Sequence, residues 1–207
     1  MGTIILGINT SNRGEGGKPT KIDVAAEGIK FAYSTFETVP SYFDFSNVIN
    51  GHHLFYKVEN LKLFNRQDFE SITNCQDFLS NSGIKEFIGS GFKKVSITDG
   101  MFIGCANLVS FSNFDFSKVR SSNLMFYKCT NLTYFKNTST IKTNLSFSDS
   151  PLLNPSDVES LILGMLADLT GKTSQTITFN TALQSSISES AIQAATDKNW
   201  VVNFAES

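Results

Sequence analysis

Phenylalanine and leucine recur along the middle of this chain at a spacing that neither a single helix nor a hairpin explains. MFIGCANLVSF at Met101 to Phe111 returns as MFYKCTNLTYF at Met125 to Phe135, a shift of 24 that keeps six of eleven positions identical. The same shift backwards carries Phe102, Leu108 and Phe111 onto Phe78, Ile84 and Phe87, and one further step of 23 reaches Phe55, Leu61 and Phe64. Forward from Phe126, a step of 21 finds Phe147 and Leu153, but the third slot is Ser156, as in a degenerate final coil. YFDFSNV at Tyr42 to Val48 and NFDFSKV at Asn113 to Val119 are offset by three steps of the same repeat.

A coil of roughly 24 residues with a Phe, a Leu or Ile six later and a Phe three further on cannot bury that set alone. Stacked coils can. Like residues would then lie about 4.8 Å apart, giving one ladder of Phe55, Phe78, Phe102, Phe126 and Phe147 and another of Leu61, Ile84, Leu108, Leu132 and Leu153. Asn60, Asn107 and Asn131 precede the Leu slot and suit turns in which the amide bonds neighbouring backbone; Gly83 takes that place in one coil. Cys105 and Cys129 sit three after the ladder Phe, where Val58 is one counterpart and Asn81 another, and are expected to be inert buried thiols.

The two ends break the repeat. NPSDVESLILGMLADLTG predicts a helix opening at Pro155 and Ser156, with Val158, Leu161, Ile162, Met165 and Leu166 on one face and Gly171 just past its end. SQTITFN then alternates like a strand, SESAIQAATDKN reads as a second helix and WVVNF as a strand, with Trp200 a core anchor. At the front, a strand over Ile4 to Ile8 precedes a Gly-rich, polar segment, residues 10 to 20, expected to be a mobile loop. The organisation is therefore residues 1–27 as strand and loop, 28–153 as the repeats, and 154–207 as a helix-strand-helix-strand cap of the kind a stacked-repeat chain needs.

The fold class expected is a leucine-rich-repeat solenoid, β-rich α/β with irregular coils of about 24 residues and a small α/β C-terminal cap. The coil pattern F-x-x-C-x-N-L-x-x-F, with FDFSNV and FDFSKV between coils, resembles the BspA-like leucine-rich-repeat family abundant in gut Bacteroidetes and their phages. The resemblance covers Gly28 to Leu153, and the tail LADLTGKTSQTITFN with AIQAATDKNWVV is similar to the segment that closes those proteins. It implies a non-enzymatic adhesion or binding module that recognises protein or surface glycan through shape. Because some members belong to phage tail or fibre genes, it equally implies a structural virion protein (tail, fibre or head decoration).

Composition narrows the partners. Charged residues are 17% of the 207 and the formal net charge is -2, and no Lys/Arg-rich stretch offers a field for nucleic acid. No apolar run approaches the roughly 18 residues of a membrane span, so no membrane insertion is expected. The opening MGTIILGINTSN has no early Lys or Arg, so no signal peptide is visible, and the location implied is a cell surface, the extracellular space or a phage particle. Homo-oligomerisation stays open.

Catalytic chemistry finds little support. His52 and His53, the only two histidines, are adjacent, which on an extended chain points them apart and makes a solvated turn the better reading than a metal or catalytic pair. Three cysteines form no C-x-x-C pair. Ser is plentiful but no G-x-S-x-G elbow occurs. Asp44 and Asp115 recur with the repeat and are read as turn-bonding carboxylates rather than a glycosidase pair. No catalytic, cofactor-binding or metal site is expected. The candidate binding face is the pair of positions between the Leu and Phe slots, Lys62, Lys85, Glu86, Ser110, Thr133 and Tyr134 together with Val109, which vary from coil to coil.

Overall fold

The computed structural model describes residues 22–25 and 30–206; the strand expected at Ile4 to Ile8 and the Gly-rich segment 10–20 lie outside them. Among the described residues, nine short strands pair only in parallel. β1 (Ile22–Asp23) pairs with β2 (Phe43–Asp44); β3 (Leu63–Asn65), β4 (Glu86–Ile88), β5 (Ser110–Phe114) and β6 (Tyr134–Asn137) form a second sheet in chain order. A third contains β7 (Leu145–Phe147), β8 (Gln175–Asn180) and β9 (Trp200–Ala205). Leu63, Glu86, Ser110 and Tyr134 are register partners, a step of 23 and two of 24, so the repeat read from sequence is the repeat of strand pairing. A second parallel row of isolated bridges joins Asn50, Asn74, Ile97 and Ser121.

Between these pairings each layer turns tightly. Leu54, Phe78, Met101 and Met125 each donate their N–H three residues back, to Gly51, Cys75, Thr98 and Ser122. Two columns of left-handed backbone recur in step: His53, Asp77, Gly100 and Leu124 (φ 57, 50, 63 and 54°), and Tyr33, Lys57, Asn81, Gly104 and Lys128 (φ 63, 53, 57, 71 and 61°). Non-glycine residues hold this conformation at a cost of about 1–2 kcal/mol each, so the surrounding pairing must outweigh it.

What outweighs it is a core of phenylalanine. Phe64, Phe87, Phe111 and Phe135 stack face to face at 5.6, 5.3 and 5.1 Å between ring centroids. Phe45, Phe69 and Phe92 form a second column at 4.6 and 4.9 Å. Each such ring is buried, worth about 1.5–3 kcal/mol apiece before any gain from ring geometry. Leu61, Ile84, Leu108, Leu132 and Leu153 are buried as expected.

The first expected ladder is interrupted at one layer. Phe102 stacks on Phe126 at 5.7 Å, Phe126 on Phe147 at 5.1 Å and Phe147 on Phe179 at 5.8 Å, while Phe31 stacks on Phe55 at 5.2 Å. Phe78 is not in that column. Phe55 N bonds Phe78 O and Leu79 N bonds Met101 O, the relation that Phe102 N has to Met125 O, so Leu79 is the true counterpart. Phe78 occupies the column of Leu54, Met101 and Met125 and meets Phe55 edge-on at 5.1 Å. It follows that Ser82 rather than Asn81 matches Cys105, and the two side chains touch at 3.5 Å. From Leu79 to Ile84 is a step of five where the other layers have six. Gly83 absorbs the deletion, its backbone so close to the layer below that a Cβ would lie 1.7 Å from the Glu59 carbonyl oxygen.

Further corrections concern hydrogen bonds and boundaries. The Asn60 and Asn131 amides reach the carbonyls of Thr35 and Ala106 and so clamp one layer to the previous one. α1 spans Pro155–Met165, capped by Asn154, whose side chain accepts from Ser156 N. It ends well before Gly171, because Leu166 is extended and pairs with Ile141. A 3-10 helix at Thr181–Ser186 and α2 at Glu189–Asp197 complete the end of the chain. β7 pairs with β8, so the sheet and the ring stack both cross the expected boundary at residue 153. Trp200 is buried and donates its indole N–H to Ala167 O at 2.8 Å. At the other end, Ile22–Asp23 is a strand within the segment 1–27.

Asp68 ties two layers by charge. It accepts from Arg66 Nε and Nη2 at 2.9 and 2.5 Å and from Phe45 N at 3.2 Å, while Arg66 reaches back to Phe43 O at 2.6 Å. Burial works to raise its pKa, but the Arg66 hydrogen bonds and charge and the Phe45 N–H outweigh it, leaving the carboxyl below its usual 3.8. A lowered folded value gives stability that is complete above 3.8 and drains as pH falls through the folded pKa. Urea midpoints of Asp68→Asn should therefore fall less than those of the parent between about pH 4 and pH 2; parallel curves would sink this assignment.

Candidate functional site

The sequence-predicted face assembles as two neighbouring rows along the outer side of the β3–β6 sheet. Strand alternation turns Phe64, Phe87, Phe111 and Phe135 inward. It leaves Leu63, Glu86, Ser110 and Tyr134 as an outward row in register. Lys62, Lys85, Val109 and Thr133 form the row before it, because Lys85 and Glu86 N bond Lys62 O, Val109 and Ser110 N bond Lys85 O, and Thr133 and Tyr134 N bond Val109 O. Leu63 belongs with them, although an apolar residue at that slot does not stand out in the sequence. With Val109 and Tyr134 it places three partly exposed apolar side chains, 39%, 43% and 38%, beside charged ones.

Not every member is equally available. Lys62 Nζ is paired with Glu37 at 2.9 Å across an exposed contact worth little. The Thr133 hydroxyl donates to Val109 O at 3.2 Å, so it braces the stack. Lys85, Glu86 and Tyr134 remain as exposed members of the face that carry polar groups.

Stacking also creates a basic surface that no stretch of sequence contains. Lys94, Lys118, Arg120 and Lys142, all exposed, line a shallow groove of about 690 Å³ with Ser96, Ser117, Thr143 and Gln175, and no carboxylate is among its lining residues. Lys94, Lys118 and Lys142 are separated by one repeat step each, so the repeat itself was the signal that could have found them.

His52 and His53 lie in a surface turn, as read from the sequence, but the expected divergence of their side chains is overturned. His53 is left-handed, φ 57°, so the two side chains do not alternate as on a strand. Their rings stack at 4.0 Å and 26°, and both Nε2 atoms face Asp77 Oδ2, at 3.8 Å from His52 and 3.5 Å from His53.

The other candidates are structural. Asp44 and Asp115 accept from Ser46 N and Ser117 N at 3.0 and 2.8 Å, as turn-bonding carboxylates do. Cys75, Cys105 and Cys129 are buried and unbridged, and burial pushes the Cys105 thiol up to about 11 and the other two well above their ordinary value, which suppresses thiolate chemistry. Cys105 and Cys129 donate to Leu79 O and Phe102 O in the layer before. Among the described residues no helix is long and apolar enough to cross a membrane. No family model matches the chain, and no curated protein or solved structure is found to be similar to it.

Proposed function

We propose that this chain is a leucine-rich-repeat solenoid of the BspA-like kind acting as a non-enzymatic binding module, which recognises a protein or surface glycan through the outer rows of its β3–β6 sheet. The observation that carries the reading is the register of Leu63, Glu86, Ser110 and Tyr134. A row of side chains that changes in every layer stands over a row of phenylalanine that does not. Rigid strands hold the variable groups at about 4.8 Å spacing, so little ordering entropy is lost on binding. The basic groove adds a subsite for anionic groups, where charge raises encounter rates and selects partners more than it adds affinity.

Binding to an array of surface glycans and to immobilised extracellular-matrix proteins tests the reading. The triple variant Lys85→Ala/Glu86→Ala/Tyr134→Ala should lose at least about tenfold in affinity for the best binder, since exposed tyrosines at such faces act as anchors. Undiminished binding by that variant would remove the function from these rows. Loss on Lys118→Glu/Arg120→Glu instead would transfer it to the groove.

A second reading, a structural subunit of a phage particle, draws on the outer edge of β9. Among the described residues that six-residue strand pairs on one side only, with Val201 half exposed. Such an edge favours assembly with another chain. Mass spectrometry of purified particles against cell-surface fractions separates the two.

A further inference from the structure

We infer that His52, His53 and Asp77 form a binding site for a divalent transition-metal ion such as zinc or cobalt. One nitrogen from each imidazole and one carboxylate oxygen, brought from two adjacent layers, lie within 4.8 Å of one another, and both Nε2 atoms face Asp77 Oδ2. At 3.8 and 3.5 Å from Asp77 Oδ2, the two nitrogens stand too far off for N–H···O hydrogen bonds. They are close to the roughly 3.3 Å that two ligands of one tetrahedral zinc keep when each bond is about 2.0 Å. Three donors at the outer limit of 4.8 Å would place a central ion about 2.8 Å from each, and binding requires the rings, stacked at 26°, to swing apart until both nitrogen lone pairs point at one ion.

The fold holds these donors in place. His53 and Asp77 occupy the same left-handed column, and their N–H groups bond Gln76 O and Asp99 O in successive layers at 3.2 and 2.9 Å. The His52 N–H is taken by the Asn50 side chain at 3.1 Å. Asp77 is oriented by the next member of the column. Gly100 leaves space for Asp77 Oδ1, which lies only 2.4 Å from where a Cβ would be, and the other oxygen is turned to the histidines. A glycine at φ 63° thus seats the carboxylate as well as making the turn.

Two neutral nitrogens and one carboxylate oxygen suit borderline ions rather than magnesium or calcium, which require more oxygen donors. The imidazoles are 41% and 48% exposed and Asp77 22%, so the solvent side has coordination positions for water or for a nitrogen or oxygen donor of a bound partner.

The chain contains only two histidines, which makes the test specific. The full untagged chain is titrated with zinc by calorimetry in a non-coordinating buffer near neutral pH, and imidazole ¹⁵N resonances are followed in parallel. Saturation near one equivalent is expected, with both histidine signals moving together and magnesium without effect. His52→Gln, His53→Gln and Asp77→Asn should each weaken zinc at least tenfold. All three side chains lie at the surface, and an unchanged metal-free melting temperature shows that each variant folds. No saturation below about 1 mM zinc, histidine signals that stay still, or parent-like affinity in His52→Gln/His53→Gln would overturn the site.

Discussion

Phe102→Ala is expected to lower the free energy of unfolding by about 3–5 kcal/mol, read from urea or guanidinium melts. The ring is fully buried and sits where two aromatic columns meet. It packs flat on Phe126 at 5.7 Å and edge-on to Phe87 at 4.9 Å and Phe111 at 5.7 Å. Truncation removes both the transfer gain of the ring and partner atoms for three other rings, and neighbours held by strand register cannot slide in to fill the void. A loss under about 1 kcal/mol would mean that the layer collapses around the missing ring, which the in-register stack forbids.

Gly83→Ala carries the second large effect, at least about 3 kcal/mol of destabilisation, because the new methyl would overlap a backbone carbonyl rather than a movable side chain. A Cβ at this position lies 1.7 Å from Glu59 O and 2.7 Å from Glu59 C. Gly83 N meanwhile donates to Val58 O at 3.1 Å, so relief by moving the layers apart would break a layer-to-layer bond. Since the overlap is absent in the unfolded chain, the loss should fall on the unfolding rate unless this layer forms early in folding. A melt within about 0.5 kcal/mol of the parent would show that the shortened step does not tighten this layer.

The repeat was legible because its carriers are large and regularly spaced. Phe64, Phe87, Phe111 and Phe135 lie where the spacing put them, and so do the five Leu and Ile positions. The second column is only half visible in the sequence. Phe45, Phe69, Phe92 and Phe116 each precede a Val or Ile by three positions, with the Phe114 ring standing between the last two, but only the two copies with FDF around them stand out by eye.

The slip at Phe78 and Leu79 was hidden for a physical reason. Exchanging the order of two apolar residues beside a single-position deletion leaves hydrophobic periodicity almost intact, and backbone pairing alone tells the two phases apart. Gly83, standing where three other layers carry Asn, was the visible trace of it.

Site geometry was less legible still. Whether adjacent histidines diverge or stack depends on the sign of one φ angle, and at His53 that sign is set by pairing with Gln76 O in the next layer. The outward rows could be read from the repeat, because alternation on a strand dictates which neighbours of a buried Phe face out. The groove cations are spread from Lys94 to Lys142 and become one surface only when three layers stack.

In-register parallel pairing also shapes how such a chain can change over generations. Each layer of the β3–β6 sheet pairs only with the one before and the one after, in one register apart from a shift between Ser112 and Phe114. A gene segment encoding one full repeat, duplicated in phase, therefore inserts a whole layer whose rings meet rings and whose outward positions arrive as spare copies. The molecule lengthens by about 4.8 Å without any new kind of contact. Those spare outward positions are then free to change while the inherited ring column keeps the layer folded. The two copies that begin at Met101 and Met125, alike at six of eleven positions, are the pair in which such a duplication is easiest to read.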